Sequence, residues 1–544
     1  MSPTPDNLRA WQRRALDAMA TWTEGSFLIS AAPGAGKTHP ALVFAAQELK
    51  AGRARRVAVL CPTSPLTRQW ARAAARIGLH LLPDAPTLRP PGDFQGVALT
   101  YARVATSPAQ YAKTCSPGTL VIADEAHHMG DDLAWGEGMR RAFGPARRWL
   151  LLSGTPFRSD QTPIPGVRYE DGVAVPDVSY TYADAVRDGV CRRVAFVPYD
   201  GTLQWQSGDD VIETSFDEVL TTREAGRRYR TAISTELPDG LPRILRAAHA
   251  KLLEVRASGH RDAGGLVVTA DSGHARQVAK ALREITGAAP TVVLHTEANA
   301  HKKLDAFRRS SEPWIVAVNM VSEGVDIPRL RVGVYATVAK TPLIFRQIVG
   351  RFVRVMSSRP SAEVSHVFLP ADKLLRGLAG EIETELRHVL YPKDRGGGDE
   401  LLDDDELERA ARTETEPSEA AFVPLAADVA PQMALFSAPG DPPPAAVPAP
   451  APFPSAVPAA ADDEPPLTAF EQRAALRARR HELVATLRRI DGRSFNEINA
   501  WLNRKTGVRT VEAATIDQLE KSIDHLLAEL DKTRSRRRGP AAVR

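Results

Sequence analysis

The stretch Ala31-Ala32-Pro33-Gly34-Ala35-Gly36-Lys37-Thr38 constrains this chain more than any other. It follows a short apolar run at 27–29 and leads into a helix-forming run at 41–49. A buried strand, a glycine-rich turn and a helix start make a cradle for phosphate. The small residues Pro33, Gly34, Ala35 and Gly36 let successive backbone N–H groups converge, and the helix N-terminus adds partial positive charge. Lys37 can reach the β- and γ-phosphates of a nucleotide, and the Thr38 hydroxyl can ligate Mg²⁺. The strict pattern has glycine where Ala31 stands, so this is a variant form. Such a turn belongs at the carboxyl edge of a parallel sheet, which points to an α/β architecture.

The periodicity around it agrees. Short apolar runs at 27–30, 57–61, 97–100, 120–124 and 149–153 alternate with helical stretches. The same scheme repeats at 265–269, 291–294, 314–318, 332–335 and 364–369. Buried parallel strands with helices on both faces read this way. The expected organisation is a first α/β lobe over 1–165, a connecting segment over 166–242 and a second α/β lobe over 243–395. The connector carries a short helix at 182–189, a strand at 194–197 and a polar, helical stretch around 206–240. From 396 to 466 an acidic run gives way to Pro/Ala-rich sequence with few aromatic or branched residues, which predicts a disordered linker. Helical periodicity returns over 467–544. Leu476, Leu483, Leu487 and Ile490 share one face, Ser494 with Glu497 forms a capping box, and Ile516, Leu519, Ile523, Leu526 and Leu530 form an apolar stripe. A small three-helix module with a basic tail at 534–538 is expected.

At 544 residues the chain exceeds one domain. Its net charge of +4 is small, so any basic surface must be local. Three widely spaced cysteines argue against a disulfide framework or a zinc site and fit a reducing compartment. No run of 18 apolar residues predicts a membrane span, and the first residues lack a basic-then-apolar leader, so a cytoplasmic location is expected.

A second constellation completes the first. Asp124-Glu125-Ala126-His127 ends an apolar run, and carboxylates at the carboxyl end of a buried parallel strand face the ligand crevice. Asp124 suits Mg²⁺, and Glu125 suits orienting and deprotonating an attacking water. With these motifs in order, the chain resembles the superfamily-two DEAD/DEAH-box helicases, of the DEAH type, whose fold is two RecA-like parallel-sheet lobes in tandem.

Further segments follow that family's order. Leu8-Arg9-Ala10-Trp11-Gln12 resembles its adenine-reading segment, with Gln12 as the amide. Cys61-Pro62-Thr63 with Arg68 and Trp70 resembles its first strand-contacting motif, and Thr100-Tyr101 sits where the next one falls. Ser153-Gly154-Thr155-Pro156 resembles the motif that couples the lobes by hydrogen-bonding the acidic segment that includes His127. The Phe157-Arg158 after it extends the match toward helicases acting on duplex DNA. In the second lobe, 316–328 resembles a loop that touches nucleotide through Gly324 and Asp326 and nucleic acid through Asn319 and Ser322. Gln347-Ile348-Val349-Gly350-Arg351-Phe352-Val353-Arg354 closes the series. On a helix Gln347, Arg351 and Arg354 would line one stripe, and arginine's planar fork suits a transferring phosphoryl group.

The resemblance spans 1–392 and implies an ATP- and Mg²⁺-dependent motor on nucleic acid, with DNA as the expected partner. An RNA helicase and a catalytically silent nucleic-acid scaffold stay open as alternatives. The intact set Lys37, Thr38, Asp124, Glu125, Arg351 and Arg354 argues against the silent one. For the C-terminal module, a DNA-binding accessory and a docking site for a protein partner are equally open.

Overall fold

A computed structural model describes residues 8–130, 133–154, 164–170, 173–207, 210–294, 297, 299–318, 327–355, 363–390, 422–432 and 467–538. Two sheets organise it. The first has seven strands in the order Leu81–Pro83, Gly96–Thr100, Arg56–Cys61, Thr119–Asp124, Arg148–Ser153, Gly25–Ala31, Val178–Tyr180. All six neighbour pairs are parallel. Its central strand, Thr119–Asp124, is buried along its whole length, as expected when helices cover both faces.

The second sheet has seven strands in sequence-crossing order and an eighth paired off that path. The order is Asp210–Thr214, Val194–Ser207, Ser365–Pro370, Leu330–Ala336, Gly264–Thr269, Trp314–Val318, Thr291–Val293. The eighth, Phe422–Pro431, pairs antiparallel with Val194–Ser207. The architecture is thus two parallel-sheet, RecA-like lobes, each built of buried Val/Ile/Leu-rich strands. Every strand that the apolar runs predict is present.

Three expectations differ. Val194–Ser207 is a 14-residue strand that joins the second sheet by parallel pairing with Ser365–Pro370, so this sheet extends into the predicted connector. The stretch 206–240 is not helical throughout. Asp210–Thr214 is a strand pairing antiparallel with Leu203–Ser207, and the helix runs only over Thr222–Ala232. Within the predicted linker, Phe422–Pro431 is ordered as a strand. Ala427 and Val429 alternate into the core while Asp428 faces out to pair with Arg243. Its prolines are tolerated because Pro424 sits at a register shift and Pro431 at the strand end. The rest of 396–466 lies outside the described residues.

The C-terminal module is three helices, Ala469–Asp491, Phe495–Thr506 and Ile516–Arg538. The Ser494–Glu497 capping box is present. Val484, Leu487, Ile498, Leu502, Leu526 and Leu530 form the module's own core. It docks on the first lobe through Arg72–Glu471, and Asp93 Oδ2 accepts the Ile516 N–H at 2.9 Å. Arg72 lies in the last turn of the Ser64–Ala75 helix, and Asp93 precedes the Gly96–Thr100 strand. Both belong to the amino-terminal edge of the sheet, opposite the strand ends that carry the motifs. Among the described residues no helix is long and apolar enough to cross a membrane.

Candidate nucleotide and nucleic-acid site

The glycine-rich turn connects the Gly25–Ala31 strand to the Thr38–Lys50 helix. Gly34 and Gly36 adopt φ of +82° and +88°, which side-chain-bearing residues avoid. Lys37 Nζ donates to Ala31 O at 3.3 Å and to Glu125 Oε1 at 3.4 Å. Thr38 opens the helix at its positive end.

Asp124 closes the Thr119–Asp124 strand and is buried. Glu125 follows at φ +49°, a left-handed conformation that costs a non-glycine residue on the order of 1–3 kcal/mol. That turn swings its carboxylate to Lys37 and to the Gly154 N–H, 3.4 Å from Oε2. His127 Nδ1 lies 3.6 Å from Glu125 Oε2 and 3.2 Å from Ser153 Oγ. Lys37, Glu125, His127 and Ser153 therefore form one polar chain. Burial pushes the Asp124 carboxyl up, and the neighbouring Glu125 charge adds to it. Burial also pushes on Glu125, but Lys37, His127 and His128 outweigh it and hold that carboxyl down. Two adjacent carboxylates thus differ in proton affinity.

The second lobe meets this turn directly. A Cβ built on Gly350 would lie 2.7 Å from Pro33 Cβ, and one on Gly34 would lie 3.4 Å from Arg354 Cγ. Cys191 Sγ approaches Pro33 O at 3.5 Å. Arg354 is brought to the turn, but not by a helical stripe. The Pro342–Val349 helix ends at Gly350, Arg351 lies in the following turn, and Arg354 forms an isolated bridge with Cys191. Gln347 lies on the helix itself. Gly350 stays right-handed, and the helix gives way to tighter turns, with Arg351 N donating to Ile348 O at 3.0 Å and Phe352 N to Val349 O at 2.9 Å, so the helical spacing does not reach Arg354.

Arg354 is held by its backbone. Ser365 Oγ donates to Phe352 O at 2.9 Å, Arg192 N to Val353 O at 2.7 Å, and Arg192 Nε to Arg354 O at 2.7 Å. Arg192 is in turn ion-paired to Glu363, which also meets Arg331 and His260. This buried cluster is a functional support that the sequence reading missed.

Gln12 occupies the turn but spends its amide on the protein: Oε1 accepts from Arg9 N at 2.9 Å, and Nε2 donates to Gly36 O at 3.0 Å. Arg9 Nη1 donates to Ala35 O at 2.8 Å. The segment clamps the phosphate turn from behind. Thr63 stands at the N-cap of the Ser64–Ala75 helix without making a capping bond, whereas Thr100 Oγ1 caps its helix by accepting from Arg103 N. Arg68 is exposed on the first of these helices. Thr155, Asn319, Ser322, Gly324 and Asp326 lie outside the described residues. The donor set fits a magnesium-bound triphosphate: a lysine-bearing anion cradle lies beside a buried strand-end carboxylate. When bound, the metal would sit with Thr38 and Asp124 and neutralise phosphate charge.

The comparisons agree with this geometry. Residues 9–162 match the DEAD/DEAH box helicase family, and residues 251–356 match the helicase conserved C-terminal domain. The chain is 42% identical over 440 residues to the uncharacterized protein Rv2917 of Mycobacterium tuberculosis (strain H37Rv), covering 79% of this chain and 72% of that protein. It is 39% identical over 440 residues to the uncharacterized protein ML1624 of Mycobacterium leprae, with the same coverage. Among solved structures, the type ISP restriction-modification enzyme LlaBIII bound to DNA is 16% identical, with 68% of this chain and 28% of that chain covered and a TM-score of 0.44. Saccharomyces cerevisiae Dbp5 bound to RNA and ADP BeF3 is 14% identical, with coverage of 75% and 93% and a TM-score of 0.45. The two lobes and their facing motifs define a nucleic-acid-dependent ATPase. This chain belongs to the DEAD/DEAH-box helicases.

Proposed function

We propose that this protein couples ATP hydrolysis to movement along DNA. One observation carries the reading: Lys37 and Glu125 of the first lobe and Arg354 of the second converge on the same glycine-rich turn. In this reading Lys37 grips the phosphates, and Thr38 and Asp124 hold Mg²⁺. Glu125 orients and deprotonates the attacking water, and Arg351 and Arg354 offset the charge that develops on the transferring group. Gly324 and Asp326 flank the nucleotide. His127, Ser153, Thr155 and Gln347 relay its state between lobes. Thr63, Arg68, Thr100, Asn319 and Ser322 hold track phosphates without reading bases. The Ser153-Gly154-Thr155-Pro156-Phe157-Arg158 run supports DNA over RNA by its likeness to duplex-acting helicases.

The test compares ATP turnover with no polymer, single-stranded DNA, duplex DNA and RNA, alongside Arg354→Ala and Glu125→Gln. Turnover should rise most with DNA. Each variant should lose on the order of 10³-fold while still binding nucleotide. Preferential activation by RNA would overturn the choice of track, and wild-type turnover in either variant would overturn the assigned roles.

A further inference from the structure

Two elements that the proposed function assigns to the track each reach the first acidic residue of the nucleotide site. The Ser64–Ala75 helix starts from Thr63 and carries Arg68 on its exposed side. Its buried side carries Trp70, whose indole N–H donates to Asp124 Oδ2 at 2.7 Å. Trp70 is 1% exposed and Asp124 8%, so water does not compete for this bond. Tyr101 directly follows Thr100 and is fully buried. Its hydroxyl donates to the backbone carbonyl of Asp124 at 2.8 Å. One contact fixes the carboxylate, and the other fixes the strand end on which it stands.

Filling space alone does not require these groups, because phenylalanine would pack without a donor. An indole N–H donates in one fixed direction and accepts nothing. Aimed at a carboxylate in a dry site, it sets the orientation of that carboxylate. The Thr63 hydroxyl at the head of the same helix is buried without a hydrogen-bond partner among the described residues. A helix is a rigid element, so a shift at its first turn is carried to Trp70 two turns on.

We propose that Trp70 and Tyr101 are positioning residues that link engagement of a polynucleotide, at Thr63–Arg68 and at Thr100, to the placement of Asp124. The nucleotide site is then set for turnover when the track is gripped. This inference rests on the nucleic-acid-driven reading above.

Trp70→Phe and Tyr101→Phe in the full chain each keep a ring and remove one donor. Three quantities are measured: turnover with and without polynucleotide, affinity for a fluorescent DNA strand, and the Mg²⁺ concentration that half-saturates binding of a fluorescent ATP analogue. Trp70→Phe should lose about tenfold in polynucleotide-stimulated turnover, the worth of one charge-assisted hydrogen bond. The Mg²⁺ half-saturation should rise while strand affinity stays at the wild-type value. Tyr101→Phe should move both in the same sense by less. A packing role would leave the stimulation ratio and the Mg²⁺ titration unmoved, and that result overturns the proposal. Should Trp70→Phe fail to fold, Tyr101→Phe decides alone by the same readouts. Should the wild type turn over equally with and without polymer, the functional reading fails, and the Mg²⁺ titration still decides whether Trp70 positions Asp124.

Discussion

Replacing Glu363 by glutamine should unfold much of the support beneath Arg354. The Glu363 carboxylate holds Arg192 Nη1 at 2.8 Å, Arg331 Nε at 2.8 Å and His260 Nδ1 at 2.6 Å. The two guanidiniums are fully shielded, and Glu363 itself is 20% exposed. Burial works against the charged carboxylate, but Arg331 and His260 outweigh it and hold the carboxyl at about 2 instead of its ordinary 4.5. That difference is worth about 3 kcal/mol. A second route gives a similar figure, since removing one partner of a buried ion pair costs about 3–5 kcal/mol. Either value is a large fraction of the ~5–15 kcal/mol that holds a domain folded. The sign with pH follows from the depressed carboxyl. Its contribution is complete above pH 4.5 and is lost as pH falls toward 2. Urea unfolding of wild type and Glu363→Gln, repeated from pH 7 down to pH 2.5, is the assay. The variant should be weaker at pH 7 by about 3 kcal/mol, and the gap should close on acidification. Because Arg192 anchors the carbonyls of Val353 and Arg354, turnover should fall even where the fold survives. A Glu363→Gln midpoint equal to wild type at pH 7, or a gap at pH 2.5 as large as the gap at pH 7, would refute this reasoning.

Gly350→Ala sets two effects against each other. In a helix end alanine stabilises by roughly 0.5–1 kcal/mol, but the new methyl would sit 2.7 Å from Pro33 Cβ and press the lobes apart, an overpacking cost of about 1–3 kcal/mol. The Michaelis constant for ATP should rise with little change in melting temperature, and an unchanged constant would show that the lobes do not need this contact. Asp93→Ala removes the acceptor of the Ile516 N–H and the carboxylate facing Arg473. Hydrogen exchange at Ile516 should quicken while the module's core amides stay protected, and equal protection throughout would mean that docking does not depend on Asp93.

What the sequence disclosed and what it hid divide by range. The strands and the glycine-rich turn are local patterns, so Leu120-Val121-Ile122 ahead of Asp124 was readable from side-chain type alone. The Pro/Ala tract misled because composition was averaged over 70 residues. Within it Ala427 and Val429 carry a two-residue period that only a partner strand makes meaningful. The arginine stripe differs for another reason: residues 350–352 leave the helix in tighter turns with Gly350 still right-handed, a change that side-chain spacing does not record. The supports of the site were invisible on other grounds. Trp70 meets Asp124 across 54 positions, and Arg192 meets Glu363 across 171. Neither side chain is unusual in isolation, since a tryptophan predicts burial and an arginine predicts a solvated face. What makes each specific is a polar atom removed from water with one partner available. An unpaired buried donor or charge is costly, so such pairs hold their geometry far more tightly than exposed ones of the same residue types. The motif residues are therefore legible because their chemistry is fixed by the ligand. The residues that aim them become legible only once the fold has decided which charges and donors are dry.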